Sequence, residues 1–196
     1  RMFGISVLVI NVAAFAVALG VLLTPAIEAQ LSKALGKMTE RQLDLLENHV
    51  LVLGFGDLTE PILEELAERG VSFAVITEDE RSARLLDEEE VPTLTADPSD
   101  VTPLERAHIE AARAVVVATN DDAKDALAIL TARQLNPSIR IVAAATQREN
   151  VDKLRRAGAD HVVSPSTLGG HLLVDSAFGG DGEEVADEIM GEEDEA

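Results

Sequence analysis

An uncharged run from Met2 to Ile27 stands a short connector ahead of His49-Val50-Leu51-Val52-Leu53-Gly54-Phe55-Gly56-Asp57, an apolar strand pattern entering a glycine-rich turn. At 1.5 Å of helical rise, about twenty apolar residues cross a hydrocarbon core of roughly 30 Å, so the run is long enough to span a bilayer. A membrane helix feeding an α/β domain is expected. The rival is a secretory signal peptide, with Arg1 as its charged start and Ala26-Ile27-Glu28-Ala29 as a loose cleavage site; its apolar core would be too long, since such cores run about 7–15 residues. Lys33, Lys37 and Arg41 follow the run, which by the positive-inside tendency places the soluble domain in the cytoplasm. Arg1 is not an initiator methionine, and the chain is expected to be cut from a longer parent.

Thirty-six acids oppose 16 bases, a net charge of −20. Nucleic-acid binding depends on basic side chains neutralising phosphates, so DNA and RNA are excluded as partners. Self-repulsion at this charge destabilises a compact domain in dilute salt, whereas molar salt shortens the Debye length to about 3 Å. The composition fits a cytoplasm filled with salt; the alternative is an acidic mesophilic domain with a disordered tail. The absence of cysteine excludes disulfides and thiolate metal sites.

Residues 1–28 thus read as a transmembrane helix, kinked or ended near Thr24 by Pro25. Residues 29–48 read as a helical linker, with Leu31, Leu35, Met38, Leu43 and Leu46 at helical spacing and Gly36 interrupting it. From His49 onward short β-branched runs alternate with charged helical patterns. Strands are predicted at His49–Leu53, Ser72–Ile76, Thr93–Thr95, Arg113–Ala118, Arg140–Ala145 and His161–Ser164. Helices are predicted around Glu60–Glu68, Glu80–Glu89, Pro103–Ala111, Ala123–Leu135, Glu149–Ala157 and Thr167–Phe178. This alternation implies right-handed crossovers and a Rossmann-like, doubly wound parallel sheet over residues 49–178. The acidic stretch 179–196 is expected to be a disordered tail.

Gly54-Phe55-Gly56-Asp57-Leu58-Thr59 fills two of the three glycine positions of the dinucleotide fingerprint, with Thr59 in the third. The glycines permit a tight turn and close approach of a pyrophosphate to a helix N-terminus, but Asp57 and Glu60 would occupy or repel that anion site. About twenty residues on, where the fingerprint supplies a ribose-binding acid, stands Thr77, with Glu78 next to it. Two further strand ends face the same crevice. Asp97 would bond an adenine amine or join a cation site, or else shape a turn with Ser99 and Asp100. Thr119 and Asn120 would touch a ribose, or else Asn120 or Asp121 would cap the next helix. His49, His108, His161 and His171 lack metal-ligand spacing and read as surface or strand-end residues. No hydroxyl nucleophile has recognisable partners, so an NAD-dependent enzyme is only the rival class.

The order of elements, with His49-Val50-Leu51-Val52-Leu53-Gly54-Phe55-Gly56, Val115-Val116-Val117-Ala118-Thr119-Asn120-Asp121-Asp122 and Ala157-Gly158-Ala159-Asp160-His161-Val162-Val163-Ser164-Pro165, resembles the RCK family, the regulators of K+ conductance, and the N-terminal domains of Trk-type potassium uptake proteins. Phe15-Ala16-Val17-Ala18-Leu19 through Lys33-Ala34-Leu35-Gly36 is similar to the pore-lining inner helix and linker of RCK-gated channels, with Asn11 and Ala13 where a hinge glycine often sits. The resemblance implies a regulatory, non-catalytic domain, a homo-oligomer (a dimer or a ring beneath the channel), and potassium pore elements upstream. It also implies that ligand occupancy pulls on the inner helix. The sequence does not name the gating ligand: at the acid-flanked turn NAD is expected to bind weakly or not at all, with an adenine nucleotide as the residual ligand, and a cation uptake or antiport system is the alternative parent. Calcium-gated relatives carry carboxylates where this chain has Ala144 and Thr146, so calcium gating is not expected.

Overall fold

In the computed structural model, Leu43 and residues 45–179 are described; the expected membrane span, most of the expected linker and nearly all of the expected acidic tail lie outside the described residues. Six parallel strands form one sheet: β1 (Val50–Leu53), β2 (Phe73–Thr77), β3 (Thr93–Thr95), β4 (Ala114–Val117), β5 (Arg140–Ala144) and β6 (His161–Val163), in the order β3-β2-β1-β4-β5-β6. That order is the doubly wound arrangement in which the chain reverses its direction of travel across the sheet between β1 and β4. Every strand lies within a residue or two of its predicted position. Among the described residues no helix is long and apolar enough to cross a membrane.

Alternation along the strands builds two cores. Leu51, Leu53, Ala74, Ile76, Val115, Val117 and Ile141 face one side, where they meet Leu104 of α3 (Val101–Arg106), Ala128 and Ile129 of α4 (Asp122–Leu135) and Leu154 of α5 (Val151–Ala157). Val50, Val52 and Val75 face the other, under Leu63 of α1 (Thr59–Glu68) and Leu86 of α2 (Glu80–Glu88). The last helix among the described residues, α6 (Pro165–Ala177), has no buried residue; its Leu173 and the Phe178 that follows it are 75% and 88% exposed.

Helix α3 departs most from its predicted span of Pro103–Ala111. Asp100 is its N-cap residue, so Pro103 sits in the first turn, where a missing amide costs nothing, and His108 at φ 53° prevents continuation. The chain entering the domain is fastened to this same corner. Asn48 N–H donates to Ala111 O at 3.0 Å, and the buried His49, directly ahead of β1, donates from Nε2 to Ala107 O at 2.9 Å. Burial lowers the pKa of His49, which favours the neutral ring. Leu43 is 2% exposed within the larger core, and Leu46 packs against it.

Candidate functional site at the switch point

Strands β1 and β4 pair through Leu53 and Val117, and the segments that follow them form the crevice where ligands of open α/β sheets bind. Gly54 has φ 95°, donates its N–H to Ile76 O at 2.8 Å, and lies so close to the β4 loop that an added Cβ would be 2.4 Å from Thr119 Cγ2 and 2.6 Å from Thr119 Cα. At Gly56 a Cβ would fall 2.5 Å from Asn120 Oδ1 and 2.8 Å from Ala118 O. Both glycines therefore serve the contact between the two loops.

The amides at the start of α1 are already engaged. Gly56 N–H donates to Thr59 Oγ1 at 2.8 Å, and Thr59, in the third glycine position, is fully buried. Asp57 N–H reaches Asn120 Oδ1 at 3.4 Å, with Asn120 in the left-handed region at φ 65°. Asp57 and Glu60 are exposed around this helix start, and Phe55 is half-buried. An anion at this turn would meet two acidic side chains and amides that have internal partners.

At the end of β2, Thr77 is 2% exposed and accepts the Asp79 amide at 3.2 Å, a structural use of the position expected to carry the ribose acid. Glu78 is exposed and pairs with Lys124 in the first turn of α4. Because these residues follow β2 and β4, the two strands flanking β1, the pair joins both sides of the crevice. Asp97 folds back on its own turn, accepting from Ser99 N–H at 2.8 Å and Ser99 Oγ at 2.7 Å; these bonds hold its carboxyl below the ordinary range. Of the two candidates for capping α4, Asp121 fills the position, accepting from the amides of Ala123 and Lys124. Among the described residues no group of side chains has the makings of a metal site.

Asp125 is a component that motif reading does not reach. It is fully buried, and its Oδ1 accepts both Thr119 N–H at 3.1 Å and Thr119 Oγ1–H at 2.7 Å, while its Oδ2 is buried without a partner. Burial pushes its pKa up to about 6 against the opposing effect of the Thr119 bonds, and repulsion from Asp122 and Asp121 adds to the rise. Its neighbour Asp122 has the opposite balance. Burial disfavours its charge, but hydrogen bonds from Asn150, Thr146 and Gln147 prevail and hold its pKa low. The spacing does carry a signal for Asp125: it stands three residues before Ala128 and seven before Ala132, on the inward stripe of α4.

The sequence matches the TrkA-N domain family over residues 50–165. It is 38% identical over 141 residues to potassium channel protein 1 of Methanocaldococcus jannaschii, covering 69% of this chain and 41% of that protein. It is 26% identical over 196 residues to the voltage-gated potassium channel Kch of Escherichia coli, covering 97% of this chain and 45% of that one. The chain thus spans less than half the length of these relatives. Solved structures of similar fold include the GsuK channel bound to NAD, at 29% identity and a TM-score of 0.60 over 66% of this chain and 24% of that one. GsuK bound to ADP is 30% identical with a TM-score of 0.56, covering 72% of this chain and 38% of that one.

Proposed function

Because the chain belongs to the TrkA-N domain family, we propose that it is the ligand-sensing, gating part of a potassium channel, with its Rossmann-like domain in the cytoplasm and Met2–Ile27 as the pore-lining helix. The carrying observation is the reach of the alignment with Kch, which takes in 97% of this chain and so includes the apolar run together with the α/β domain. Gating needs a ligand that binds two states with different affinity, since equal affinity shifts nothing. The domain has no catalytic role in this reading.

The ligand is an adenine nucleotide held at the Gly54–Thr59 turn, with Asp97, Thr119, Asn120 and Glu78 around it; GsuK structures with NAD and with ADP support this class. Self-association through α6 accompanies it, supported by the exposed Leu173 and Phe178 next to the half-buried Leu168 and Leu172. A mass of at least a dimer by light scattering at high salt is expected, and a strict monomer counts against that part.

Upstream coding sequence provides the deciding test. A filter of the Thr-Val-Gly-Tyr-Gly type ahead of Arg1 supports the channel, whereas a bundle of many spans turns the reading to an uptake or antiport system. Nicotinamide turnover with a small substrate would overturn the regulatory role altogether.

A further inference from the structure

Asp125 stands directly behind the crevice. One of its oxygens holds both the amide and the hydroxyl of Thr119, and Thr119 is the residue that fills the space left by the missing side chain of Gly54. Its other oxygen is buried, with no hydrogen-bond partner among the described residues. A fully buried carboxylate with an orphaned oxygen is costly when charged, and protonation removes that cost while leaving Oδ1 able to accept from Thr119.

Among the described residues, the groups that bear on Asp125 include no compensating cation. The charged groups that bear on Asp125 are Asp121 and Asp122, both negative, at the start of its own helix. Lys124 is turned to Glu78, and across the Gly54–Thr119 contact the α1 start carries Asp57 and Glu60. The core residues packed in the same layer as α4 (Leu104 from α3, Val117 from β4, Ala143 from β5 and Leu154 from α5) are uncharged.

We propose that Asp125 is a proton-linked positioning residue: the crevice takes up its anionic ligand together with one proton on this carboxyl. The inference rests on the nucleotide reading of the crevice. A phosphate arriving beside the Gly54–Thr119 contact adds negative charge near an uncompensated buried carboxylate, so ligand and proton favour each other. By linkage, affinity rises as pH falls through the range in which Asp125 titrates.

Calorimetric titration of the full chain with ADP, in mild detergent and molar KCl at about pH 5.5 and about pH 7.5, tests this. The unmodified chain is expected to bind several-fold more tightly at the lower pH. Asp125→Asn should bind at both values about as tightly as the unmodified chain does at the lower one; the titration of ADP itself is common to both proteins. In the unmodified chain the Thr119 and Gly54 amide resonances should also titrate, moving with a midpoint near Asp125's about 6 without ligand and higher with ADP. Parallel pH profiles for the two proteins, or amides that do not titrate, overturn the inference while the nucleotide site stands. No ADP binding at either pH overturns the nucleotide site and the inference with it.

Discussion

Gly54 and Thr119 share one space: a β-carbon on the first would lie 2.6 Å from the α-carbon of the second, with Gly54 held at φ 95°. Neither side can yield cheaply, because the obstructing atom is backbone. Gly54→Ala should destabilise the domain by about 2–6 kcal/mol, the sum of left-handed strain and overpacking, read as a lower midpoint in denaturant unfolding. Gly56→Ala meets the Asn120 side chain at 2.5 Å and Ala118 O at 2.8 Å. Its cost should be smaller and partly recovered in an Asn120→Gly background, which also suits the positive φ of residue 120.

Asp125 gives stability an unusual pH dependence. Its folded pKa of about 6 lies above the ordinary carboxyl value, so between about pH 4 and pH 6 the native state binds more protons than the unfolded chain, and stability falls as pH rises through that window. Above it the penalty is complete, about 3 kcal/mol for a shift of this size. Asp125→Asn removes the charge but leaves an amide to be satisfied. A net gain of about 1–2 kcal/mol near pH 7.5, shrinking toward acid, is therefore expected from urea unfolding. A substitution equally destabilising at every pH would refute the buried-charge argument.

The domain begins earlier than its first strand. Leu43 is 2% exposed in the larger core and Leu46 packs against it, so a chain starting at Gln42 should be more stable than one starting at Glu47 by about 2–3 kcal/mol. Thermal unfolding of the two truncations checks this, and equal midpoints would mean that Leu43 contributes nothing.

Period-two patterning made the sheet legible because each strand is buried on a fixed face: Leu51 and Leu53 cannot exchange sides with Val50 and Val52. Helix α3 was harder, since Pro103 reads as a first helical residue when it is in fact the third. In the site, the turn glycines were legible but their local reason was not. A fingerprint glycine is explained by ligand approach, whereas Gly54 and Gly56 here make room for Thr119 and Asn120, residues of a distant strand end. Thr77, at the fingerprint's ribose-acid position, and Asp97, after β3, each make a local hydrogen bond that a sequence pattern does not express. Asp125 belongs to no motif; helical spacing puts it on the inward stripe of α4, but its bonds to Thr119 emerge only when α4 is set against the β4 loop.

Acidic side chains should weaken the binding of a phosphate at the turn. Two unit charges about 4 Å apart interact by roughly 4 kcal/mol at an effective dielectric near 20, enough to offset much of what a helix N-terminus offers a phosphate. With Asp57 exposed beside Glu60, and the Gly56 and Asp57 amides engaged by Thr59 and Asn120, NAD should bind weakly or not at all. Asp57→Gly should strengthen ADP and NAD binding several-fold in calorimetry at molar KCl. Tight NAD binding by the unmodified domain would mean that the acids point clear of the phosphates.

Charge should also set the solution conditions under which the domain folds. A net charge of −20 on 196 residues raises the free energy of the compact state by self-repulsion, and the exposed carboxylates of Glu64, Glu65 and Glu68 lie together along α1, where Arg69 pairs with Glu65. That pair is exposed, so it contributes little on its own. Raising KCl from dilute buffer to molar concentration shortens the screening length from about 30 Å to about 3 Å, which removes repulsion between residues on neighbouring turns and helices. The circular-dichroism midpoint of thermal unfolding should therefore climb steeply with KCl. Sodium chloride should act almost as well if screening is the cause, whereas a midpoint unchanged by salt would show that the acids are tolerated and that the salt-adapted reading of the composition is wrong.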